Sequence, residues 1–162
     1  MRFKNQIALV TGAESGIGEK IIQQLHKEGC KIIATNFSKK KLLNKKNLEY
    51  FNLDVTEEDQ WKGLQKYLNK KYKKINILIN SAGIRMSGTL ETTSLQLWNH
   101  ILNTNTTSIF LGCKYMLPLL KKSKGSSIVN LASVTSLRGV KNMLAYAASK
   151  SAIVTLTSSL AL

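Results

Sequence analysis

Short apolar segments of strand length alternate with segments of helical periodicity along the chain, and this alternation limits the possible folds more than any other feature. The first pair is an all-apolar run at residues 7–10, followed by Ile17, Ile21, Ile22 and Leu25 on one helical face. Strands that lack polar alternation are typical of parallel sheets with helices on both faces. The sequence therefore predicts an α/β fold with a doubly wound parallel sheet.

The same periodicity predicts five strands, at residues 7–10, 31–35, 48–55, 75–80 and 127–131. A short lysine-rich helix is predicted after the second strand, and a helix capped by Thr56 after the third. A long helical stretch at 95–120 is interrupted by polar residues 103–108 and by Pro118. The last helix is predicted to run from about Ala145 to the end of the chain.

That last helix carries no charge after Lys150, because residues 151–162 are small, polar or apolar without an ionisable group. A helix of this kind is normally buried. It also lacks the glycine or terminal cation that commonly stops a helix. The composition is therefore that of a helix buried in a complete fold, and we expect the chain to end inside an element.

The length of 162 residues and the apolar content of 43% suit one soluble globular domain over residues 1–162. The N-terminus has the features of neither a signal peptide nor a membrane span. Cys30 and Cys113 stand alone, without the spacing of a metal site or of a disulfide framework. We expect a cytoplasmic protein without a bound metal and without a membrane partner.

The net charge of +15 raises the question of nucleic-acid binding. Only Arg2, Arg85 and Arg138 among the 24 cations are arginine, the residue that favours base readout and bidentate phosphate contacts. The lysines lie in runs that are typical of solvated helix ends and loops. We expect no specific nucleic-acid partner; any binding to polyanions should be independent of sequence and fall steeply with salt.

A glycine-rich turn joins the first strand to the first helix, Thr11-Gly12-Ala13-Glu14-Ser15-Gly16-Ile17-Gly18. In such a turn Gly12 permits a tight bend, Gly16 lets the backbone approach a ligand, and Gly18 lets the helix pack closely. The free amides at the helix N-terminus could then bind a pyrophosphate. An ordinary strand-to-helix loop is the alternative interpretation.

Near the other end, Tyr146 and Lys150 lie four residues apart, thirteen residues after Ser133. On one helix this spacing places the phenol and the ammonium on a common face, where the positive charge favours the phenolate. The spacing alone is weak, since Tyr67 and Lys71 repeat it. That second pair has no serine thirteen residues upstream, and we interpret it as a packing tyrosine beside a solvent-facing lysine.

In this order the motifs resemble those of the short-chain dehydrogenase/reductase family, especially its 3-oxoacyl-carrier-protein reductases and bacterial hydroxysteroid and alcohol dehydrogenases. The resemblance covers essentially all 162 residues, with Asn80-Ser81-Ala82-Gly83 in place of the family's Asn-Asn-Ala-Gly. It implies one NAD(P)-binding Rossmann domain with strand order 3-2-1-4-5. It also implies that the C-terminal strands of the family are missing. Their absence would leave the fifth strand as an exposed sheet edge and the final helix uncovered, and little or no turnover is expected.

The resemblance assigns roles to individual residues. Tyr146 would be the general acid/base, Lys150 would assist it and hold the nicotinamide ribose, and Ser133 would steady the substrate oxygen. Asn105 would hold a water in a proton relay to the lysine. The implied cofactor-binding residues, besides Tyr146 and Lys150, are Gly12, Ser15, Gly16, Ile17, Gly18, Asn36, Asp54, Val55, Asn80, Ala82 and Gly83.

The choice between NAD and NADP stays open. Asn36 occupies the place where an NAD-preferring member carries aspartate, so a 2′-phosphate would meet no carboxylate there. Ser15 stands where many NADP-using members carry arginine, and Glu14 adds a negative charge beside it. Lys39 or Lys40 could supply the missing cation.

The function that follows from the resemblance is NAD(P)-dependent interconversion of a secondary alcohol and a ketone. Its partners would be a small-molecule substrate and, in full-length relatives, further copies of the same chain. The alternative is a non-catalytic remnant that binds dinucleotide weakly or not at all.

Overall fold

The computed structural model describes residues 1–14, 16–37 and 46–162. Its strands are β1 (Ile7–Val10), β2 (Lys31–Asn36), β3 (Leu48–Asn52), β4 (Ile77–Asn80) and β5 (Ser127–Asn130). Its α-helices are α1 (Gly16–Lys27), α2 (Glu58–Lys71), α3 (Leu95–Leu102), α4 (Ser108–Leu120) and α5 (Leu144–Leu160). All five strands are parallel, and their order in the sheet is β3-β2-β1-β4-β5. The predicted doubly wound α/β fold and its strand order are confirmed.

The central strands β1, β2 and β4 are buried on both faces, as their apolar residues predict, whereas the edge strand β5 is partly exposed. Successive residues of a strand point to opposite faces, so Leu9 joins one apolar cluster while Ala8 and Val10 join the other. One cluster contains the residues of α2 and α4, and the other contains those of α1. Because the strands are parallel, their carboxyl ends lie at one edge of the sheet, which is where α/β folds bind ligands.

Helix α2 buries Trp61, Leu64 and Leu68, the stripe that its spacing predicts. The predicted cap at Thr56 is wrong, because the N-cap is Glu57 and its side chain makes no capping bond. The Thr56 hydroxyl instead donates to the Asp54 carboxylate at 2.7 Å, and the Thr56 amide donates to the same oxygen at 2.9 Å. Aspartate side chains readily form such local turns. The turn at Asp54 ends the extended segment before α2 begins.

The third strand is shorter than predicted, since β3 ends at Asn52 and the Asp54 turn follows it. Strand β2 is one residue longer than predicted and includes Asn36. The lysine-rich helix predicted after β2 falls largely on residues 38–45, which lie outside the described residues.

The long helical stretch is interrupted where its polar residues predict. Residues Asn103–Thr107 form a π-helical turn between α3 and α4, a wider turn that is frequent at functional sites. Pro118 does not interrupt α4, which continues through it to Leu120.

The final helix is only partly buried, which agrees with the expectation that it is left uncovered. Ala145, Ser149, Lys150 and Ile153 are buried, but the C-terminal half is exposed and Leu160 keeps 54% of its surface accessible. The physical reason is that the buried residues of α5 face α3 and the π-helical turn, whereas most residues of its second half face solvent. In the part of the chain that the structure describes, no helix is long and apolar enough to span a bilayer.

Candidate active site

The glycine turn packs against the loop after β4. Glycine occupies three positions of the turn for different structural reasons. A side chain on Gly12, whose φ is +61°, would lie 2.7 Å from the Cα atom of Ala82. One on Gly18 would lie 2.2 Å from the Gly12 carbonyl oxygen. Gly16 has φ +56° and open space within 4 Å. Gly12 and Gly18 are therefore required by packing, whereas Gly16 faces free volume.

Thr11 fastens this turn to the next strand of the sheet. Its buried hydroxyl accepts from the amides of Ser81 at 3.0 Å and Ala82 at 3.1 Å. These contacts use backbone donors, so the serine that replaces the family's second asparagine at position 81 does not affect them. Thr11 is part of the glycine-rich motif, but the motif alone predicts no role for it; its position directly after an apolar strand was the available signal.

Asn80, at the end of β4, connects this strand to β5 through its side chain. Its side-chain nitrogen donates to the Asn130 side-chain oxygen on β5 at 2.8 Å and lies 3.7 Å from the Cys113 sulfur. Asn80 is nearly fully buried. It supports the sheet beneath the cavity and does not line it.

Tyr146 and Lys150 lie in the first turns of α5, and the beginning of this helix is fixed by the loop after β4. The Gly88 amide donates to the Asn142 carbonyl at 2.9 Å, and the Leu144 amide donates back to the Gly88 carbonyl at 3.2 Å. The Lys150 ammonium lies 6.0 Å from the centre of the Tyr146 ring. The two side chains share one helical face, as their spacing predicts.

Lys150 is a buried cation. Its side chain is only 6% exposed, and its ammonium donates to the Leu131 carbonyl, just beyond β5, at 2.7 Å. Burial lowers the pKa of Lys150 below its usual value, because a desolvated ammonium is disfavoured. A lysine held in this way can hydrogen-bond a ligand without a large rearrangement.

Asn105 is fully buried in the π-helical turn and binds the loop after β4. Its side-chain oxygen accepts from the Ile84 amide at 2.8 Å, and its side-chain nitrogen donates to the Ile84 carbonyl at 3.0 Å. A side chain on Gly83 would lie 3.1 Å from that oxygen and 3.4 Å from the Lys150 nitrogen. Asn105 thus lies directly behind the cavity wall, and Gly83 keeps the space between the amide and the lysine open.

Ser133 lies two residues beyond Leu131, in an exposed loop. Its hydroxyl accepts from the Thr135 amide at 3.2 Å, and its own amide donates to the Ser136 hydroxyl at 3.3 Å. The structure records no hydrogen bond between Ser133 and Tyr146, both of which it describes. The cavity wall nearest to this loop is formed by Leu131 and Ala132.

A cavity of about 750 Å³ lies at the carboxyl edge of the sheet and is lined by the glycine turn, the loop after β4 and the beginning of α5. This volume is in the range of small-molecule and cofactor sites. The predicted site residues that line it are Gly12, Gly16, Ile17, Gly18, Asn36, Asp54, Val55, Ala82, Gly83, Tyr146 and Lys150. Asn80, Asn105 and Ser133 lie outside the lining, and Ser15 lies outside the described residues.

The charged residues of the lining come from different elements. Glu14 belongs to the glycine turn and Asp54 follows β3, whereas Arg85 lies in the loop after β4 and Lys150 on α5. Lys39 and Lys40, proposed from the sequence as partners of a 2′-phosphate, lie outside the described residues. The described lining therefore leaves the choice between NAD and NADP open.

The second Tyr-x-x-x-Lys pair is not part of this cavity. The hydroxyl of Tyr67 donates to Glu49 on β3, and the Lys71 ammonium lies 2.8 Å from the same carboxylate. Tyr67 is half-buried against the core, and Lys71 faces solvent. The interpretation of this pair as structural is confirmed.

Comparison with known proteins shows the same architecture in a group of enzymes. The family model described as short chain dehydrogenase matches residues 6–162. The chain is 32% identical to a 3-beta-hydroxysteroid dehydrogenase of Comamonas testosteroni, over 99% of this chain and 65% of that protein. It is 32% identical to a 3-oxoacyl-(acyl-carrier-protein) reductase of Thermotoga maritima, over 97% of this chain and 67% of that protein.

Among solved structures, the ligand-free aldohexose dehydrogenase of Thermoplasma acidophilum matches with a TM-score of 0.90 and 32% identity. The match covers 97% of this chain and 60% of that one. The chain thus spans about two thirds of the length of the relatives that it matches.

Proposed function

The chain belongs to the short-chain dehydrogenase family, and we propose that it interconverts a secondary alcohol and a ketone with NAD or NADP as cofactor. We further propose that residues 1–162 form one nucleotide-binding domain. The observation that carries the proposal is the cavity at the carboxyl edge of the sheet, whose lining runs from the glycine turn to Tyr146 and Lys150.

The glycine-turn end of the cavity suits a dinucleotide. Gly16 places open space where a side chain would otherwise lie, at the first residue of α1, whose free amides point outward. Asp54 and Val55 line the same end and would contact the adenine. Bound NAD(P) would supply or accept the hydride.

The other end suits proton transfer to and from the substrate oxygen. In the proposal Tyr146 donates a proton to a ketone oxygen, or removes one from an alcohol, while the Lys150 ammonium favours the phenolate. Asn105 would hold a water behind Gly83 that connects to Lys150. The Ser133 hydroxyl already accepts from Thr135, and its own proton would donate to the substrate oxygen.

The substrate class is a small secondary alcohol or its ketone. The relatives are named for a hydroxysteroid, a 3-oxoacyl thioester and an aldohexose. We propose compounds of these three types as the first substrates to test. Residues 137–142 of the neighbouring loop are exposed, so bound substrate would remain accessible to water and turnover should be slow.

The test is deuterium transfer from labelled NADH or NADPH to the product alcohol, measured for the wild type and for Tyr146→Phe and Tyr67→Phe. We expect Tyr146→Phe to lower the rate by about 10²- to 10⁴-fold, the usual share of a general acid/base. Nucleotide affinity should be nearly unchanged, because only a hydroxyl is removed. Tyr67→Phe, the matched change at the structural pair, should leave the transfer rate near that of the wild type.

Two results would contradict the proposal. No transfer to any of the three substrate types, either by the wild type or by a chimera that carries the C-terminal segment of a relative, would contradict the activity. A Tyr146→Phe rate close to that of the wild type would contradict the role of Tyr146.

A further inference from the structure

Ser149 is a buried serine between Tyr146 and Lys150, and the proposed reaction gives it no role. It is completely inaccessible to solvent, and its hydroxyl donates to the Tyr146 carbonyl at 2.7 Å. A serine that bonds a carbonyl of the preceding turn is neutral or slightly unfavourable within a helix. This intrahelical bond therefore does not explain a serine at that position.

The same hydroxyl makes a second bond, to the π-helical turn. The Asn105 side-chain nitrogen donates to the Ser149 oxygen at 3.0 Å, across 44 residues of sequence. The Thr106 hydroxyl donates to the Ser149 carbonyl, also at 3.0 Å. Two adjacent residues of the turn between α3 and α4 are thus bonded to one residue of α5.

These bonds account for every proton on the Asn105 side chain and on the Ser149 hydroxyl. The Asn105 oxygen accepts from Ile84, and its two amide protons go to the Ile84 carbonyl and to Ser149. The Ser149 proton goes to Tyr146. The orientation of the Asn105 amide is therefore fixed from both sides, and removal of the serine oxygen would leave one buried amide proton without an acceptor.

We propose that Ser149 is a positioning residue that holds the Tyr146–Lys150 segment of α5 in register with Asn105 and with the loop at Gly83. The inference rests on the proposed function for its catalytic meaning, since it concerns the placement of the two residues to which we assign proton transfer. Its structural part, the bond between Ser149 and Asn105, can be tested without turnover.

The experiment measures hydrogen exchange of the asparagine side-chain amides by NMR, in the wild type, Ser149→Ala and Ser158→Ala. Ser158 is the matched control, since its hydroxyl donates to the Val154 carbonyl of the same helix at 3.0 Å and the residue is exposed. We expect the Asn105 amide to exchange at least about tenfold more slowly than that of exposed Asn99, and Ser149→Ala to remove most of this protection. Ser158→Ala should leave it unchanged.

A second readout follows the positions of Tyr146 and Lys150. We expect Ser149→Ala to shift the ring signals of Tyr146 and the ε-methylene signal of Lys150, and to lower kcat with little change in the KM for nucleotide. Ser158→Ala should move none of these. A role confined to stability would lower the thermal midpoint of Ser149→Ala and leave the Tyr146 and Lys150 signals of the folded protein in place.

The inference would be overturned if the Asn105 amide exchanged equally fast in the wild type and Ser149→Ala, or if Ser158→Ala had the same effect. It would also be overturned, without any variant, if Asn105 in the wild type exchanged as fast as Asn99, so the test survives a Ser149→Ala protein that does not fold. Failure of the proposed function would give a different result, namely no hydride transfer either by the wild type or by the chimera.

Discussion

Lys150 combines a charge with deep burial, which is costly unless the surroundings compensate. Its ammonium has the Leu131 carbonyl as a hydrogen-bond acceptor, and no carboxylate among the described residues forms an ion pair with it. A buried cation with one neutral acceptor destabilises the fold, and such groups persist mainly where they serve a function. Lys150 thus lowers the stability of the fold while it serves the proposed activity.

The pH dependence of stability should show this cost. Because burial lowers the pKa of Lys150 below 10.5, the folded state loses the lysine proton at a lower pH than the unfolded state does. Between these two pKa values the unfolded state binds more protons, so stability rises with pH. We expect the wild type to gain stability relative to Lys150→Met as the pH is raised from neutral towards 10.5.

Urea unfolding at a series of pH values measures this difference. Lys66→Met serves as the control, because it removes one positive charge that is exposed to solvent. Parallel curves for the wild type and Lys150→Met over this pH range would show that burial does not perturb the lysine.

At the residue scale the sequence predicted what local rules determine. The tight turn at Gly12 and the common face of Tyr146 and Lys150 follow from short spacings within one turn or helix. The bond between Ser149 and Asn105 could not be predicted, because it depends on how α5 packs against a turn 44 residues away. The Ser133 hydroxyl is likewise placed by its loop and not by its distance from Tyr146 in sequence.

At the scale of elements, α2 and α4 are joined by a carboxylate at the beginning of α2. Glu58 accepts from the Lys114 ammonium at 2.8 Å and from the Tyr115 hydroxyl. These hydrogen bonds lower the pKa of Glu58 from 4.5 to about 2. Both helices pack on the face of the sheet that holds Trp61, so this contact fixes their relative position at the surface.

Acid should weaken this contact within a defined range. A carboxyl group with a lowered folded pKa stabilises the protein above its unfolded pKa, and the stabilisation is lost as the pH falls through the folded pKa. We expect the wild type to be more stable than Glu58→Gln at neutral pH. The difference should shrink between pH 4.5 and about 2.

Thermal unfolding of both proteins across that range checks the prediction, with Glu91→Gln as the control at an exposed carboxylate. A constant difference between the wild type and Glu58→Gln down to pH 2 would contradict the assignment.

The boundaries of the elements differ from the prediction where a local side-chain contact overrides the apolar pattern of the sequence. The sequence pattern extended the third strand to residue 55, but the Asp54 carboxylate binds Thr56 and turns the chain after β3 ends at Asn52. The interruption of the long helical stretch at residues 103–108 was predicted from its polar side chains. Its π-helical geometry was not, since it depends on the bonds of Asn105 and Thr106 to distant segments.

For the whole molecule, the alternation of strands and helices was enough to predict a parallel sheet with helices on both faces, whereas the strand order β3-β2-β1-β4-β5 was implied by the family resemblance. That order brings the turn after β1, the end of β3 and the loop after β4 to one edge, and α5 then completes the cavity. The sequence could not predict how far α5 would be covered, because composition shows that a helix tolerates burial and not which element lies against it.

We propose above all that this cavity binds a nicotinamide dinucleotide with its pyrophosphate at Gly16. The most direct measurement is fluorescence titration of NADH and NADPH against the wild type, Gly16→Ala and Gly125→Ala. Gly125 is a matched control, since its φ is +66° and, like Gly16, it has open space within 4 Å. Both variants therefore bear similar backbone strain, but only Gly16 lines the cavity.

We predict that the wild type and Gly125→Ala bind at least one of the two nucleotides with similar affinity. Gly16→Ala should bind it at least about tenfold more weakly, because a methyl group there would occupy the space of the pyrophosphate. Equal affinities for all three proteins, or no measurable binding of either nucleotide by the folded wild type, would contradict the account.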